Sequence, residues 1–97
     1  MNYLAKVIQA IPGEDFTVIA YFADGTVRLA DIKPYIRKGG IFARLADKDF
    51  FGSRLTVMNG AVAWDQTGTR DETSCIDIDP CVMYENSSII ADPLQLA

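Results

Sequence analysis

The chain contains no histidine, so it lacks the side chain that most often acts as a general base near neutral pH and binds zinc. Without histidine, neither its serines nor its cysteines have the usual partner that activates a nucleophile. Its two cysteines, Cys75 and Cys81, do not form a CxxC motif, and we expect two reduced, partly buried thiols. None of the patterns GxGxxG, GxxxxGK[ST], GxSxG or HExxH occurs. We therefore expect no enzyme activity and no cofactor.

Positive charge is scarce, since nine Lys and Arg residues face thirteen Asp and Glu residues and the formal net charge is −4. This balance argues against a dedicated nucleic-acid binder and against contact with anionic lipid. No apolar run approaches the roughly 18 residues that span a bilayer, and residues 1–6 do not resemble a signal peptide. We expect a cytoplasmic protein with neither membrane contact nor direct nucleic-acid contact.

The strongest local signal is the dipeptide Asn59-Gly60 within residues 54–65. Asn-Gly favours a two-residue type I′ turn, because both residues of that turn need a positive φ. The predicted hairpin then pairs Met58 with Ala61, Val57 with Val62 and Leu55 with Trp64. Leu55, Val57, Val62 and Trp64 would share one apolar face, because side chains alternate along a strand.

Asp24-Gly25 predicts a second hairpin, between a strand over residues 16–23 and another over residues 26–31. A two-residue loop pairs Phe22 with Val27 and Ala20 with Leu29. One predicted face carries Val18, Ala20, Phe22, Val27 and Leu29. The expected second face is too apolar for a fully solvated surface, and we expect the chain itself to cover it rather than a second copy. Its members are Thr17, Ile19, Tyr21, Arg28 and Ala30.

The remaining segments predict shorter elements. Residues 3–11 read as a first strand that ends at Pro12-Gly13, and a single helical turn is compatible with residues 31–40. Asp47 is a candidate N-cap for a short helix that Gly52 ends. Residues 75–79 alternate as an edge strand would, and Asp79-Pro80 is a typical helix start. We expect residues 66–73 to be a loop and the segment from Ser87 onward to be frayed or anchored in a partner through Ile89 and Ile90.

These elements predict an α+β domain, with a mostly antiparallel β-sheet of two hairpins plus one or two further strands and two short helices. The predicted domain covers residues 1–88, and residues 89–97 form a C-terminal tail.

Two charge clusters could bind ions. Four carboxylates lie close together in sequence, and oxygen ligands suit Ca²⁺ or Mg²⁺, but their spacing fits no EF-hand loop and we expect a solvated edge and a helix cap rather than a metal site. They are Asp71, Glu72, Asp77 and Asp79. Positive charge concentrates at Lys33, Arg37, Lys38 and Arg44, where we favour a solvated loop over a contact with phosphate or an acidic partner.

The order of these features resembles the bacterial family called domain of unknown function 2442. The resemblance rests on Phe22-Ala23-Asp24-Gly25, Asp31-Ile32-Lys33-Pro34-Tyr35, Val62-Ala63-Trp64 and Asp77-Ile78-Asp79-Pro80, and it extends from about Leu4 to Ser88. It implies no catalytic residues. It also implies small α+β proteins, often encoded beside members of domain of unknown function 4160 in what look like toxin–antitoxin pairs. The helix-turn-helix of fused relatives does not follow Asn86 here.

We therefore expect a module that binds another small protein as the antitoxin-like member of a pair. The alternative is a module that associates with itself or binds a small ligand. The interaction surface that we expect comprises Ile19, Tyr21, Arg28 and Tyr35.

Overall fold

The computed structural model describes residues 5–71 and 73–95. Within them lie seven strands in two antiparallel sheets, three α-helices and two 3₁₀ helices. The strands are β1 (Val7–Pro12), β2 (Thr17–Phe22), β3 (Val27–Asp31), β4 (Leu55–Met58), β5 (Ala61–Trp64), β6 (Ile76–Asp77) and β7 (Ser88–Ile89). The α-helices are α1 (Lys33–Lys38), α2 (Lys48–Ser53) and α3 (Pro80–Glu85), and the 3₁₀ helices are Gly40–Ala46 and Pro93–Gln95.

The predicted α+β class with antiparallel pairing is confirmed, but the strands divide between two sheets. The first sheet has the order β1-β2-β3-β7 and the second has the order β4-β5-β6. The sheets approach each other where the Val7 amide donates a 2.8 Å hydrogen bond to the Gly60 carbonyl. The first strand begins at Val7, and the predicted strand residues Tyr3 and Leu4 lie outside the described part of the chain.

The Asn59-Gly60 turn sets the register of the second sheet as predicted. Asn59 and Gly60 have φ values of 53° and 77°, as a type I′ turn requires. Met58 lies opposite Ala61, and Leu55 lies opposite Trp64. The hairpin prediction is therefore confirmed residue by residue.

The predicted register of the first hairpin is wrong by one residue. Val27 lies opposite Tyr21 and Arg28 opposite Ala20. The loop has three residues, because the Phe22 amide bonds to the Thr26 carbonyl and Gly25, with φ of 89°, takes up the extra position. This geometry corresponds to a tight turn followed by a glycine bulge. Its consequence is that each side chain of β3 faces the side opposite to the predicted one.

Trp64 lies at the centre of the core with no exposed surface. Its indole Nε1 donates a 3.0 Å hydrogen bond to the Phe51 carbonyl, and the two rings lie 5.4 Å apart. Both sheets contribute to the core, through Val18, Ala20 and Phe22 from the first and Val62, Trp64 and Ile76 from the second. A buried indole with a satisfied N–H contributes a large apolar area without an unpaired donor.

The predicted N-caps of α2 and α3 are present, but the prediction that Gly52 ends α2 is wrong, because Gly52 lies inside the helix and Arg54 is its C-cap. The Asp47 carboxylate accepts hydrogen bonds from the Asp49 and Phe50 amides at the start of α2, and Asp79 accepts one from the Cys81 amide at the start of α3. Helix α1 lies within residues 31–40, the segment with which a single helical turn was compatible. In the described part of the chain, none of the helices is long and apolar enough to cross a membrane.

The expectation of a frayed or partner-anchored segment after Ser87 is wrong for β7. Ser88 lies opposite Leu29 and Ile89 opposite Arg28, so this strand closes one edge of the first sheet. The predicted boundary between residues 88 and 89 therefore falls inside a strand. Two residues are too few for an alternating pattern to show in the sequence.

Candidate interaction surface

The first sheet has one face in the core and one face turned outward. Val18 and Ala20 have no exposed surface, whereas Ile19 and Tyr21, which alternate with them on β2, are half-buried. Because paired residues of antiparallel strands share a face, the register places the neighbours of Ile19 and Tyr21 on the outward side. We call the resulting set the outer patch: Ile11, Ile19, Tyr21, Val27 and Leu29.

The outer patch is uncharged and is separate from the core. Ile19 lies between Ile11 on β1 and Leu29 on β3, and Tyr21 lies opposite Val27. None of the five side chains belongs to the core cluster or packs against it. Leu29 is 37% exposed and the other four are half-buried. A partly exposed group of apolar side chains outside the core is a candidate surface for contact with another molecule.

A segment of the chain itself lies along one border of the patch. The Ile90 amide donates a 2.9 Å hydrogen bond to the Val27 carbonyl, and the Tyr21 hydroxyl donates a 2.6 Å hydrogen bond to Asp92 Oδ1. Burial of the phenol, together with the hydrogen bond and the charge of Asp92, raises the pKa of Tyr21 to about 12. The chain therefore covers part of the face, as expected, and leaves Leu29 open to solvent.

Arg28, predicted for this surface, lies on the opposite face of the sheet. Its guanidinium carbon sits 3.7 Å from the centre of the Tyr84 ring on α3, and its Nη1 donates to the Tyr84 carbonyl. The reason is the one-residue shift caused by the three-residue loop at Gly25. Arg28 therefore joins the first sheet to α3, and the prediction that it shares a face with Ile19 is wrong.

Tyr35 lies apart from the outer patch, on α1. Its ring packs against the core and against Phe42, 5.4 Å away. Burial and the nearby charge of Asp79 raise the pKa of its hydroxyl. It lines a groove of about 410 Å³ between α1 and α3, together with Lys38 and Val82. The structure thus brings Ile19 and Tyr21 together and places Arg28 and Tyr35 elsewhere.

The acidic residues considered as metal ligands act in local turns instead. The Asp71 carboxylate accepts hydrogen bonds from the amide and hydroxyl of Thr73, which hold the pKa of Asp71 below its usual range. Asp79 caps α3, and Asp77 is exposed. Glu72 lies outside the described residues. Within residues 5–71 and 73–95, no three acidic or cysteine side chains group as metal ligands would.

Two of the four residues in the predicted basic cluster, Lys33 and Arg44, contact neighbouring side chains, and the other two are exposed. The Lys33 ammonium lies 3.3 Å from an Asp15 carboxylate oxygen and 3.0 Å from one of Asp31, and these hydrogen bonds and charges raise the pKa of Lys33. The Arg44 guanidinium lies over the Phe50 ring at 4.1 Å. Arg37 and Lys38 are exposed at the end of α1, where cations favourably face the helix dipole.

Sequence reasoning missed three members of the outer patch, Ile11, Val27 and Leu29. For Val27 and Leu29 the sequence did contain an indication. Gly25 is compatible with a three-residue loop that ends in a glycine bulge as well as with a two-residue turn, and the longer loop places both residues on the outward face. Asp92 was missed because its partner, Tyr21, is 71 positions away in the sequence.

Taken together, two antiparallel sheets around one core, short capped helices and an uncharged outer patch define a small α+β domain with a candidate contact surface. The sequence model of the family described as "Protein of unknown function (DUF2442)" matches residues 7–88, from the start of β1 to the first residue of β7. The chain belongs to this family, as the resemblance predicted. No curated protein and no solved structure matches it.

Proposed function

We propose that the chain is a non-enzymatic protein-interaction module that binds another small protein through the outer patch. The observation that carries this proposal is a group of five uncharged side chains, outside the core, on three adjacent strands. Burying such side chains against a partner removes apolar area from water, which is the main favourable term in protein association. That the partner is a toxin-like neighbour, with this chain as its antitoxin-like member, rests on the family resemblance alone.

The ionisation of the described carboxyl groups offers no candidate for a general acid. Among the described carboxyl groups, those whose pKa departs from its ordinary value all have it lowered. They are Asp24, Asp31, Asp65 and Asp71. A carboxyl group that acts as a general acid needs a raised pKa, which burial without such donors would provide. The sequence offers no histidine as an alternative base.

Co-expression with the product of the adjacent gene tests the proposal. Leu29→Lys places a charge in the outer patch at a position that already touches solvent. Ile41→Lys is the matched control, because Ile41 is 63% exposed on the 3₁₀ helix Gly40–Ala46, away from the patch. We expect the tagged wild type and Ile41→Lys to retain the partner and Leu29→Lys to lose it. No partner retained by the wild type, or equal retention by both variants, would contradict the proposal.

Self-association through the same patch is the second candidate. The observation that favours it is that all five side chains of the patch are uncharged, so two copies that meet there would bury apolar area, while the Asp92 carboxylate at its border is already hydrogen-bonded to Tyr21. Light scattering at micromolar concentration distinguishes the two candidates. A homodimer that Leu29→Lys dissociates and Ile41→Lys does not would support self-association, whereas a monomeric wild type would exclude it at that concentration.

A further inference from the structure

A second surface feature lies away from the outer patch, where the end of α2, strand β4 and the loop after β5 meet. A recess of about 440 Å³ opens there, and the side chains of Arg54 and Arg70 both line it. A hairpin and a turn separate the two arginines in the sequence, so no local sequence pattern indicates that they lie close together. Their convergence concentrates positive charge at one place on an acidic chain.

The hydrogen bonds of both guanidinium groups go to neutral oxygens. Arg54 Nη1 donates to the Asp65 carbonyl at 3.2 Å, and Arg70 donates to Thr56 Oγ1 at 2.6 Å and to the Val57 carbonyl at 3.2 Å. Among the described residues, the ion pairs within 4.0 Å all involve Lys33, so neither guanidinium is paired with a described carboxylate. A guanidinium has five N–H donors, so both groups keep donors for a ligand.

The oxygens of the one acid that lines the recess, Asp65, accept hydrogen bonds from the loop backbone. The Asp65 carboxylate is only 7% exposed and accepts hydrogen bonds from the backbone amides of Thr67, Gly68 and Arg70 at 2.8–3.1 Å. Although burial raises the pKa of Asp65, these amides leave it below its usual value. The carboxylate therefore holds the loop in shape and forms no hydrogen bond with either guanidinium.

The loop backbone holds the arginines in place. Gly68, with φ of 81°, leaves room for the Arg54 guanidinium, since a Cβ there would lie 3.0 Å from Arg54 Nη1. Arg70 itself has φ of 59°, a conformation that non-glycine residues adopt at a cost. A strained backbone held by a buried carboxylate is a feature found at binding sites.

We propose that Arg54 and Arg70 form a binding site for a small phosphate-type oxyanion. The planar guanidinium fork matches the oxygens of such a group, and charge-assisted hydrogen bonds are stronger than neutral ones. The Thr56 hydroxyl already accepts from Arg70, so its own proton is available to the anion. The lining of the site shares no residue with the outer patch.

The test is an amide NMR titration of the whole chain with inorganic phosphate at constant ionic strength, with sodium chloride as the reference and glycerol phosphate as a second ligand. We expect saturable shifts at Arg54, Thr56, Gly68 and Arg70 with either phosphate and none with chloride. The tighter of the two ligands shows whether the bound group is free or esterified.

Variants separate a specific site from general attraction to positive charge. Arg70→Gln should raise the apparent Kd about tenfold or more, the equivalent of one charge-assisted hydrogen bond. Arg70→Lys, which keeps the charge but loses the fork, should give an intermediate Kd. Arg37→Gln removes a charge from exposed α1 and should leave the Kd unchanged. Equal shifts with chloride and phosphate, or equal binding by Arg70→Gln and Arg37→Gln, would overturn the proposal.

Discussion

The Tyr84 hydroxyl donates a 2.6 Å hydrogen bond to Asp24 Oδ2, although the two residues are 60 positions apart. The other oxygen of Asp24 accepts from the amide and hydroxyl of Thr26 in the same turn. The Tyr84 ring packs edge-on against Phe22 at 5.2 Å, and Arg28 lies over it. The contacts of Tyr84 therefore connect the turn of the first hairpin to helix α3. They give Phe22 and Asp24 of the Phe22-Ala23-Asp24-Gly25 segment a structural role.

Removing the Tyr84 ring should weaken the junction between the first sheet and α3. Tyr84→Ala loses the contacts with Phe22 and Arg28, and we expect the free energy of unfolding to fall by about 2–3 kcal/mol, less than for a fully buried ring. Tyr84→Phe keeps the ring and loses only the hydrogen bond to Asp24, so its effect should be smaller. Urea denaturation followed by circular dichroism measures both. Equal losses for the two variants would contradict the importance of the ring.

Asp24 should make stability depend on acid pH. Hydrogen bonds from Thr26 and Tyr84 lower the pKa of Asp24 from 3.8 to about 2. A carboxylate with a lowered pKa contributes stability that is present above its unfolded pKa and is lost as the pH falls through the folded value. The free energy of unfolding should therefore decrease from pH 4 to pH 2. In Asp24→Asn the decrease should be shallower, whereas Asp77→Asn, on an exposed residue, should follow the wild type.

Two glycine substitutions should have opposite signs. Gly60→Ala strains a residue with φ of 77° and places a Cβ 2.9 Å from Lys6 Cγ, so it should destabilise the chain by about 1 kcal/mol or more. Gly52→Ala lies in α2 with no atom within 4 Å of the new Cβ and no positive φ, so it should stabilise by about 0.5–1 kcal/mol. Thermal unfolding of both variants is the measurement. A stable Gly60→Ala would count against the turn geometry at Asn59-Gly60.

The contact between Tyr21 and Asp92 should be visible in the titration of the tyrosines. Asp92→Asn removes the charge that helps to raise the pKa of Tyr21 to about 12, so this pKa should fall toward 10. Ultraviolet absorbance of tyrosinate measures the change. Asp71→Asn is the control, because the Asp71 side chain contacts Thr73 and Ser74 in the loop after β5. An unchanged pKa in Asp92→Asn would mean that residues 90–95 do not cover the patch in solution.

The sequence predicted the fold where local chemistry determines it. Asn59-Gly60 permits one short loop, so the pairing of Leu55 with Trp64 followed from the dipeptide alone. Asp24-Gly25 fits loops of two or three residues. The three-residue loop forms, and it places the Asp24 carboxylate where Thr26 and the distant Tyr84 can donate hydrogen bonds to it. The local sequence does not encode the contact with Tyr84.

The same distinction applies to the candidate surface and to the arginine recess. Ile19 and Tyr21 could be placed together because they alternate along one strand. The face on which Leu29 lies depended on the length of the loop at Gly25. The pairing of β7 depended on how the chain returns from α3 to β3. Arg54 and Arg70 meet only through the tertiary fold.

Isoleucine methyl NMR shows whether a partner binds at the outer patch. Ile11 and Ile19 lie in the outer patch, whereas Ile41 is exposed elsewhere and Ile32 is fully buried, so one labelled sample contains both probes and controls. On titration with the adjacent-gene product, we expect the Ile11 and Ile19 methyl signals to shift and those of Ile41 and Ile32 to stay unchanged. Shifts centred on Ile41, or no shift at any isoleucine, would contradict this expectation.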